Sequence, residues 1–575
     1  MRFTSWPVAL CVLASTCFDT TARNIPPVQY AVQEPLPAYP EPKLSTSFSS
    51  ESWDLNEVLT ENTTAQWIFS SASGLLQSNP NIRYRNGHSI VPGIVRAGTL
   101  LYHGRNDSNS PTTPEWFAFN TEVSYMFCQV LSINSPGAGA WHHTFRVTRP
   151  LRILYFDGAG NFLLGDGPLD SQDIVAWGEV MPNLAFAEAE RIEKLCEWGR
   201  RMGLDGFIRM AVVSELMLCN YRSVEAVSSV HLEITPLPPY WKTIGKEPEL
   251  PRFPTDTIPI DTNFIGMIKT GLRTAQYPGL SPVRLDLTRF VSFYDLDLVP
   301  SLAKVRSGKR RWQHRLLGID KEDIKRVRGY LEEQLVNEKA WLRAEAWEDT
   351  IDWMALLHSI VEPYGEYLED IWNLVSTTTN KDQALVKQVQ DTFQLIESLA
   401  RPFVLFSVAP PESFFNETSG SLDWASPVFQ ECSTSIIPAL HRVSSLSHSE
   451  KLLLDAVKHT TRELCRGVIK VWVRGVQHGL SKVIGVHRES LSEHSDVSAG
   501  QLLDIWRTDL EILREWLDWG VWLRCRPVCG ENEMCYIPTY PFSVGESKPE
   551  WHADDPKTRC VRKVAPYVYA DDYNP

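Results

Sequence analysis

Two kinds of apolar spacing divide this chain. Short apolar runs bounded by turn residues fill residues 55–235, and long runs with an apolar position every three to four residues fill 320–522. In the first part, 99–103, 116–119, 143–147, 151–156 and 215–219 read as strands, punctuated by Asn86-Gly87, Asp157-Gly158 and Gly165-Asp166-Gly167. Residues 188–202 carry Ile192, Leu195, Cys196 and Trp198 at helical spacing, and Gly203 supplies the stop. Prolines 236, 238, 239, 248, 251, 254 and 259 then crowd one stretch, which blocks helix interiors and central strands and predicts a linker or a surface belt. Residues 283–294 alternate as a strand. The remainder reads as helices: one or two over 320–358, one over 380–400, one over 452–479 behind a Ser447/Glu450 capping box, and one over 502–522 behind Ser498/Gln501. Helices of that length joined by polar loops predict an antiparallel bundle. Trp341, Trp347, Trp353, Trp372, Trp472, Trp506, Trp516 and Trp519 lie in it at spacings that suit core packing better than ligand stacking.

The expected fold is therefore α+β. A signal peptide over 1–22 and a flexible lead-in over 23–54 precede a mixed α/β domain over 55–235. A proline-rich linker over 236–282, a helical bundle over 283–524 and a cysteine-rich C-terminal cap over 525–575 follow.

Composition changes this picture chiefly by suggesting where the chain resides. Met1-Arg2-Phe3 and the apolar run from Trp6 to Ala14 have the form of a secretory leader, too short to span a membrane. Asn62, Asn106 and Asn416 each head a glycosylation sequon, which agrees with export. Cys525, Cys529, Cys535 and Cys560 crowd the C-terminus, a cluster that reads as two local disulfides; their spacing is not a familiar zinc pattern, and no metal is expected. With Cys11 and Cys17 in the leader, an odd number of cysteines is left, so at least one of Cys128, Cys196, Cys219, Cys432 and Cys465 stays outside an intrachain pair. The net charge of -14 disfavours nucleic acid as a partner, and no later run is apolar for the roughly 18 residues a transmembrane segment needs. The expected product is a secreted or lumenal protein whose protein or small-molecule partner the sequence does not name.

His103 ends an apolar strand and precedes Gly104, where a missing side chain allows close approach to the backbone. A histidine there can hydrogen-bond a ribose, Tyr125 can stack on a flat heteroaromatic ring, and Glu215 can stabilise an oxocarbenium-like transition state as nicotinamide leaves. The motifs Leu101-Tyr102-His103-Gly104, Trp116-Phe117-Ala118-Phe119 with Ser124-Tyr125, and Asp205-Gly206-Phe207 with Ser214-Glu215-Leu216-Met217 resemble the ADP-ribosyltransferase fold. The likeness is to the branch with a His, Tyr, Glu triad, as in poly-ADP-ribose polymerases and diphtheria-type toxins, and covers residues 80–235. It implies an NAD cofactor bound by His103, Gly104 and Tyr125, with Glu215, His103 and Tyr125 catalytic. Arg105 replaces the small hydroxyl residue usual in that pattern. The chain also resembles a group of uncharacterised secretory proteins of filamentous fungi through Tyr155-Phe156-Asp157-Gly158, Cys196-Glu197-Trp198-Gly199 and Asp205-Gly206-Phe207, a likeness that implies no activity.

The same residues admit a purely structural reading: a satisfied strand-end histidine, a half-buried helix tyrosine and a cap carboxylate, in a non-catalytic interaction protein. Asp157, Asp166, Asp170 and Asp173 could serve sugar hydrolysis or calcium, but their spacing suits turns and helix caps better. The basic run Lys304, Arg306, Lys309, Arg310, Arg311, His314 and Arg315 reads as a solvated loop, a dibasic processing site, or an acid-binding contact between the two halves. No Gly-x-Ser-x-Gly elbow, His-Glu-x-x-His zinc helix, Gly-x4-Gly-Lys phosphate loop or Rossmann glycine triplet is present.

Overall fold

The computed structural model describes residues 52–57, 63–129, 140–210, 212–232, 262–276, 282–346, 351–377, 382–411, 421–436, 446–481, 498–537 and 557–564. The leader, most of the lead-in, Asn62, Trp347, Asn416 and the acidic tail lie outside them.

Helices α1 (Ala65–Ser73) and α2 (Ser78–Arg83) precede strands β1 (Ser89–Val95), β2 (Leu100–Arg105) and β3 (Glu115–Ala118). Helix α3 (Thr121–Gln129) leads to β4 (Ala140–Val147) and β5 (Leu151–Phe156). Helices α4 (Asp170–Trp177) and α5 (Glu188–Arg201) then cross to β6 (Gly206–Met210), β7 (Ser214–Leu218) and β8 (Val224–Leu232). With β9 (Val283–Leu285) and β10 (Val291–Ser292) from later in the chain, the order β10-β1-β5-β6-β7-β3-β2-β4-β8 makes a ten-stranded sheet, with β9 also on β1. Every pairing is antiparallel except β5 with β6. A parallel pair needs a long crossover, which α4 and α5 supply.

The 283–294 segment is not one strand and does not open a bundle. It forms β9 (Val283–Leu285) and β10 (Val291–Ser292), both paired with β1. Between them the Asp286 carboxylate accepts from Thr288 N at 3.1 Å and stabilises a tight turn. The 236–282 stretch is not wholly a linker either. Helix α6 (Thr262–Arg273) lies in its proline-free interval after Pro259 and packs on α3.

The helical part comprises α7 (Leu302–Arg306), α8 (Lys321–Leu335), α9 (Glu338–Ala346), α10 (Trp353–Ser376), α11 (Asp382–Ala400), α12 (Ser426–Thr434), α13 (His448–Gln477) and α14 (Ala499–Leu517). Both capping boxes form at their expected positions, Ser447 with Glu450 and Ser498 with Gln501. Trp341, Trp472, Trp506 and Trp519 are fully buried.

The sheet and the helices share one core, so the expected division at 236–282 does not separate two apolar interiors. One cluster runs from Phe69, Val91 and Tyr155 to Trp472 and Trp506, and α1 packs on α10 and α13. Arg152 on β5 pairs with Glu338 at 2.5 Å and Glu345 at 3.0 Å on α9. The described residues from Ser52 onward belong to one compact unit.

Four disulfides staple this unit. Cys525–Cys535 and Cys529–Cys560 close the cap around the hairpin β11 (Glu533–Tyr536) and β12 (Arg559–Arg562), as the clustered cysteines predict. Cys196–Cys219 ties α5 to the end of β7, and Cys432–Cys465 ties α12 to α13. Cys128 remains a buried thiol. Met534, Tyr536 and Val561 of the cap join Ala118, Val123 and Ile268 in a second apolar cluster.

Candidate functional site

Strand register decides which predicted site residues can meet. Tyr102 on β2 pairs with Ala118 on β3, and Ala118 pairs with Glu215 on β7. Directly paired residues of antiparallel strands project to the same face, and neighbours along a strand alternate. Glu215 therefore shares a face with Tyr102, and His103 projects from the opposite face.

The contacts agree. The His103 ring lies 4.9 Å from Phe117, and its Nδ1–H donates to the Trp116 carbonyl at 2.7 Å. Nε2 is left as a buried acceptor without a partner, and burial pushes the imidazole down to about 4. Gly104 faces the other way, where a Cβ would stand 2.2 Å from Ser124 O and 2.8 Å from Cys128 N. The space left by the missing side chain is occupied by the α3 backbone. Tyr125 is half-buried on α3, and so belongs to the face away from His103. His103, Tyr125 and Glu215 are not brought around one cleft.

Glu215 is buried in a chain of ion pairs under α5. Arg209 Nε donates to it at 3.2 Å, and Arg209 Nη1 donates to Glu188 at 2.5 Å. The guanidinium lies 3.6 Å over the Trp116 ring, whose Nε1–H also donates to Glu188 at 3.0 Å. Arg191 continues the chain from Glu188, at 3.1 Å, to Asp173, also at 3.1 Å. Burial raises the Glu215 carboxyl against the opposing pull of Arg209.

The four loop aspartates are committed to similar work. Asp157 accepts Ser89 N–H at 2.7 Å, Asp166 pairs with Arg85 at 2.6 Å, and Asp170 pairs with Arg315 at 2.9 Å. The basic run thus includes a contact with the α/β part through Arg315, while Arg306 stacks 4.6 Å over Trp67 and Arg311 is buried.

A polar pocket that the sequence reading missed lies between α1, α2, the 86–89 loop and the Arg311–Gln313 turn. Ser70, Ser71, Tyr84, His88, Asp157 and Arg311 are among its lining residues. It has room for one or two waters. Tight backbone approach shapes its wall: a Cβ on Gly87 would stand 2.1 Å from Asp157 O, and Gly158 adopts φ +79. The Asn86-Gly87 and Asp157-Gly158 turns are legible in the sequence, but their meeting is not, because they lie 71 positions apart.

Comparison with known proteins places part of the chain among fungal sequences. Residues 140–239 match the family model of the YPL277C N-terminal domain. The chain is 29% identical over 244 residues to the uncharacterised protein YPL277C of Saccharomyces cerevisiae, covering 33% of this chain and 48% of that protein. It is 28% identical over 242 residues to the uncharacterised protein YOR389W of the same yeast, covering 32% of this chain and 37% of the relative. The chain thus spans less than half the length of these curated relatives, which carry no described activity. No solved structure matches it. The family match includes Asp157 and Glu215 but begins after His103 and Tyr125, and neither it nor any structural neighbour supports an ADP-ribosyltransferase fold.

Proposed function

We propose that this chain is an exported, non-catalytic protein that acts by binding, with the ten-stranded sheet as its scaffold. The observation that carries the reading is the register that sets His103 and Glu215 on opposite faces. An NAD-cleaving triad needs the ribose-binding imidazole and the carboxylate around one substrate. Glu215 instead meets a buried arginine, and the His103 imidazole is turned to a backbone carbonyl. Export is supported by the leader-like first residues and by four disulfides, which persist in oxidising compartments. Among the described residues no helix is long and apolar enough to cross a membrane.

The test is nicotinamide release from NAD by the purified full-length protein, set beside Glu215→Gln. The expected result is no release from either, with a lower melting temperature in the variant because Arg209 loses one of its two carboxylate partners. Release by the native protein that disappears in a folded Glu215→Gln variant would overturn the reading.

A further inference from the structure

Consecutive basic residues occur at four places in this chain: Arg200-Arg201, Lys309-Arg310-Arg311, Lys325-Arg326 and Arg562-Lys563. The fold treats them differently. Arg200 and Arg201 lie in the last turn of α5, and Lys325 and Arg326 lie inside α8, so both pairs are wound into helix. Arg562 ends β12, and Lys563 N–H donates to Asn532 O at 2.7 Å, which holds that pair to the disulfide-bonded cap. Of the four, Lys309-Arg310 alone stands outside helix and strand on an exposed loop, with Ser307 and Gly308 also exposed before it.

Exposed loop tips are where folded chains are nicked, because an endoprotease takes the residues ahead of the cut in extended form. Ser307 (φ -54, ψ 130) and Arg310 (φ -76, ψ 157) have extended backbones, and Gly308 at φ +70 makes the bend between them. Arg311 is different. It is 8% exposed, donates to Ser70 Oγ at 2.8 Å and Ser71 Oγ at 3.3 Å, and lies 3.7 Å over the Tyr84 ring. Its guanidinium would have to leave the interior to enter a protease, whereas Lys309 and Arg310 already face solvent. The bond after Arg310 is therefore favoured over the bond after Arg311. The Arg310 carbonyl accepts from Gln313 N at 2.8 Å, and Arg310 N–H donates to Gln313 Oε1 at 3.0 Å. One short turn has to open for the cut, and no strand or long helix.

We infer that Lys309-Arg310 is a processing site, cut after Arg310 by a secretory endoprotease whose acidic pockets read two consecutive basic side chains. Water supplies the co-reactant: the Arg310–Arg311 C–N bond breaks, hydroxide ends on the Arg310 carbonyl carbon as a carboxylate, and the proton goes to the new Arg311 amine. None of the four disulfides crosses this point. Cys196–Cys219 lies before it, and Cys432–Cys465, Cys525–Cys535 and Cys529–Cys560 lie after it. The two pieces are nonetheless joined by the shared core, by Phe69 on Trp519, by Arg315 with Asp170 and by Arg152 with Glu345. The processed form is a two-chain protein without a covalent link. The inference rests on the export reading, since such proteases meet a chain in the secretory route.

The experiment digests the purified, folded full-length protein with a dibasic-specific secretory endoprotease and reads the products on a denaturing gel without reductant. Two bands are expected, one of them residues 311–575 beginning Arg311-Trp312-Gln313 on N-terminal sequencing. The pieces should elute together from a sizing column under native conditions, and elution apart would overturn the two-chain assembly. Lys309→Gln and Arg310→Gln, both at exposed positions, should melt as the native protein does and stay whole. A native protein that stays whole, is cut first at another basic pair, or is cut equally in both variants overturns the inference. Expression in a secreting yeast separates this from export. Protein missing from the medium refutes export, and the digest still decides the site; whole protein in the medium of a host that makes the protease overturns the processing.

Discussion

Gly104 shows how a residue that looks made for a ligand can serve the protein's own packing. A glycine after a strand histidine leaves space, and at 2.2 Å from its would-be Cβ stands a carbonyl of α3. His103 beside it is a neutral imidazole inside the sheet, and that has a consequence in acid. Its folded value of about 4 lies below the ordinary 6.5, because burial disfavours the charged form and Arg105 and His143 add to that effect, while the bond to Trp116 O and Asp107 oppose it. A histidine with a depressed folded value contributes stability that is present above about pH 6.5 and lost as the pH falls toward 4. The stability of the native protein relative to His103→Gln is expected to decline on going from pH 7 to pH 5, by at most about 1.4 kcal/mol per pH unit. Urea unfolding at several pH values measures the difference, and a constant difference across that range would refute the argument.

At the scale of elements, what is encoded by near neighbours is easiest to read. A capping box joins residues three apart, so Ser447 and Glu450 are recognisable as a helix start without any tertiary information. The same serine also donates to Thr288 O at 2.7 Å, which fixes α13 to the turn between β9 and β10. Ser447→Ala is accordingly expected to cost about 1–2 kcal/mol, the upper part of the range for an N-cap. Denaturant midpoints would show it, with Ser498→Ala at the equivalent cap of α14 as the control for capping alone. Equal losses in the two variants would mean that the contact to Thr288 adds nothing. Helix α6 was harder to see because the surrounding prolines dominate the composition of its stretch.

For the whole molecule, the shared core makes the sheet and the helices depend on one another. Removing residues from 236 onward would strip β1 of β9 and β10 and expose Phe69, whose ring stacks on Trp519 at 5.9 Å. A fragment ending at 235 is therefore expected to lack a cooperative unfolding transition, whereas the full-length protein with its disulfides intact should give one. Circular dichroism melts of the two distinguish these outcomes; a cooperative melt of the fragment would show that the α/β part has an interior of its own.

The sequence by itself determined the features carried by local spacing. These include the strands around His103 and Glu215, α5 with its glycine stop, two capped helices, the tryptophan-filled core and the cysteine-bonded cap. Each depends on residues a few positions apart, where a period of two or near 3.6 is visible. The tertiary structure decided the rest. It chose the strand partners, and with them the face from which each side chain projects, since a shift of one residue reverses every side chain of a strand. It also paired Arg209 with Glu188 and brought Arg311 to Ser70 across 241 positions. Such distant pairings leave no periodic trace, because burial selects them only after the chain has folded back on itself.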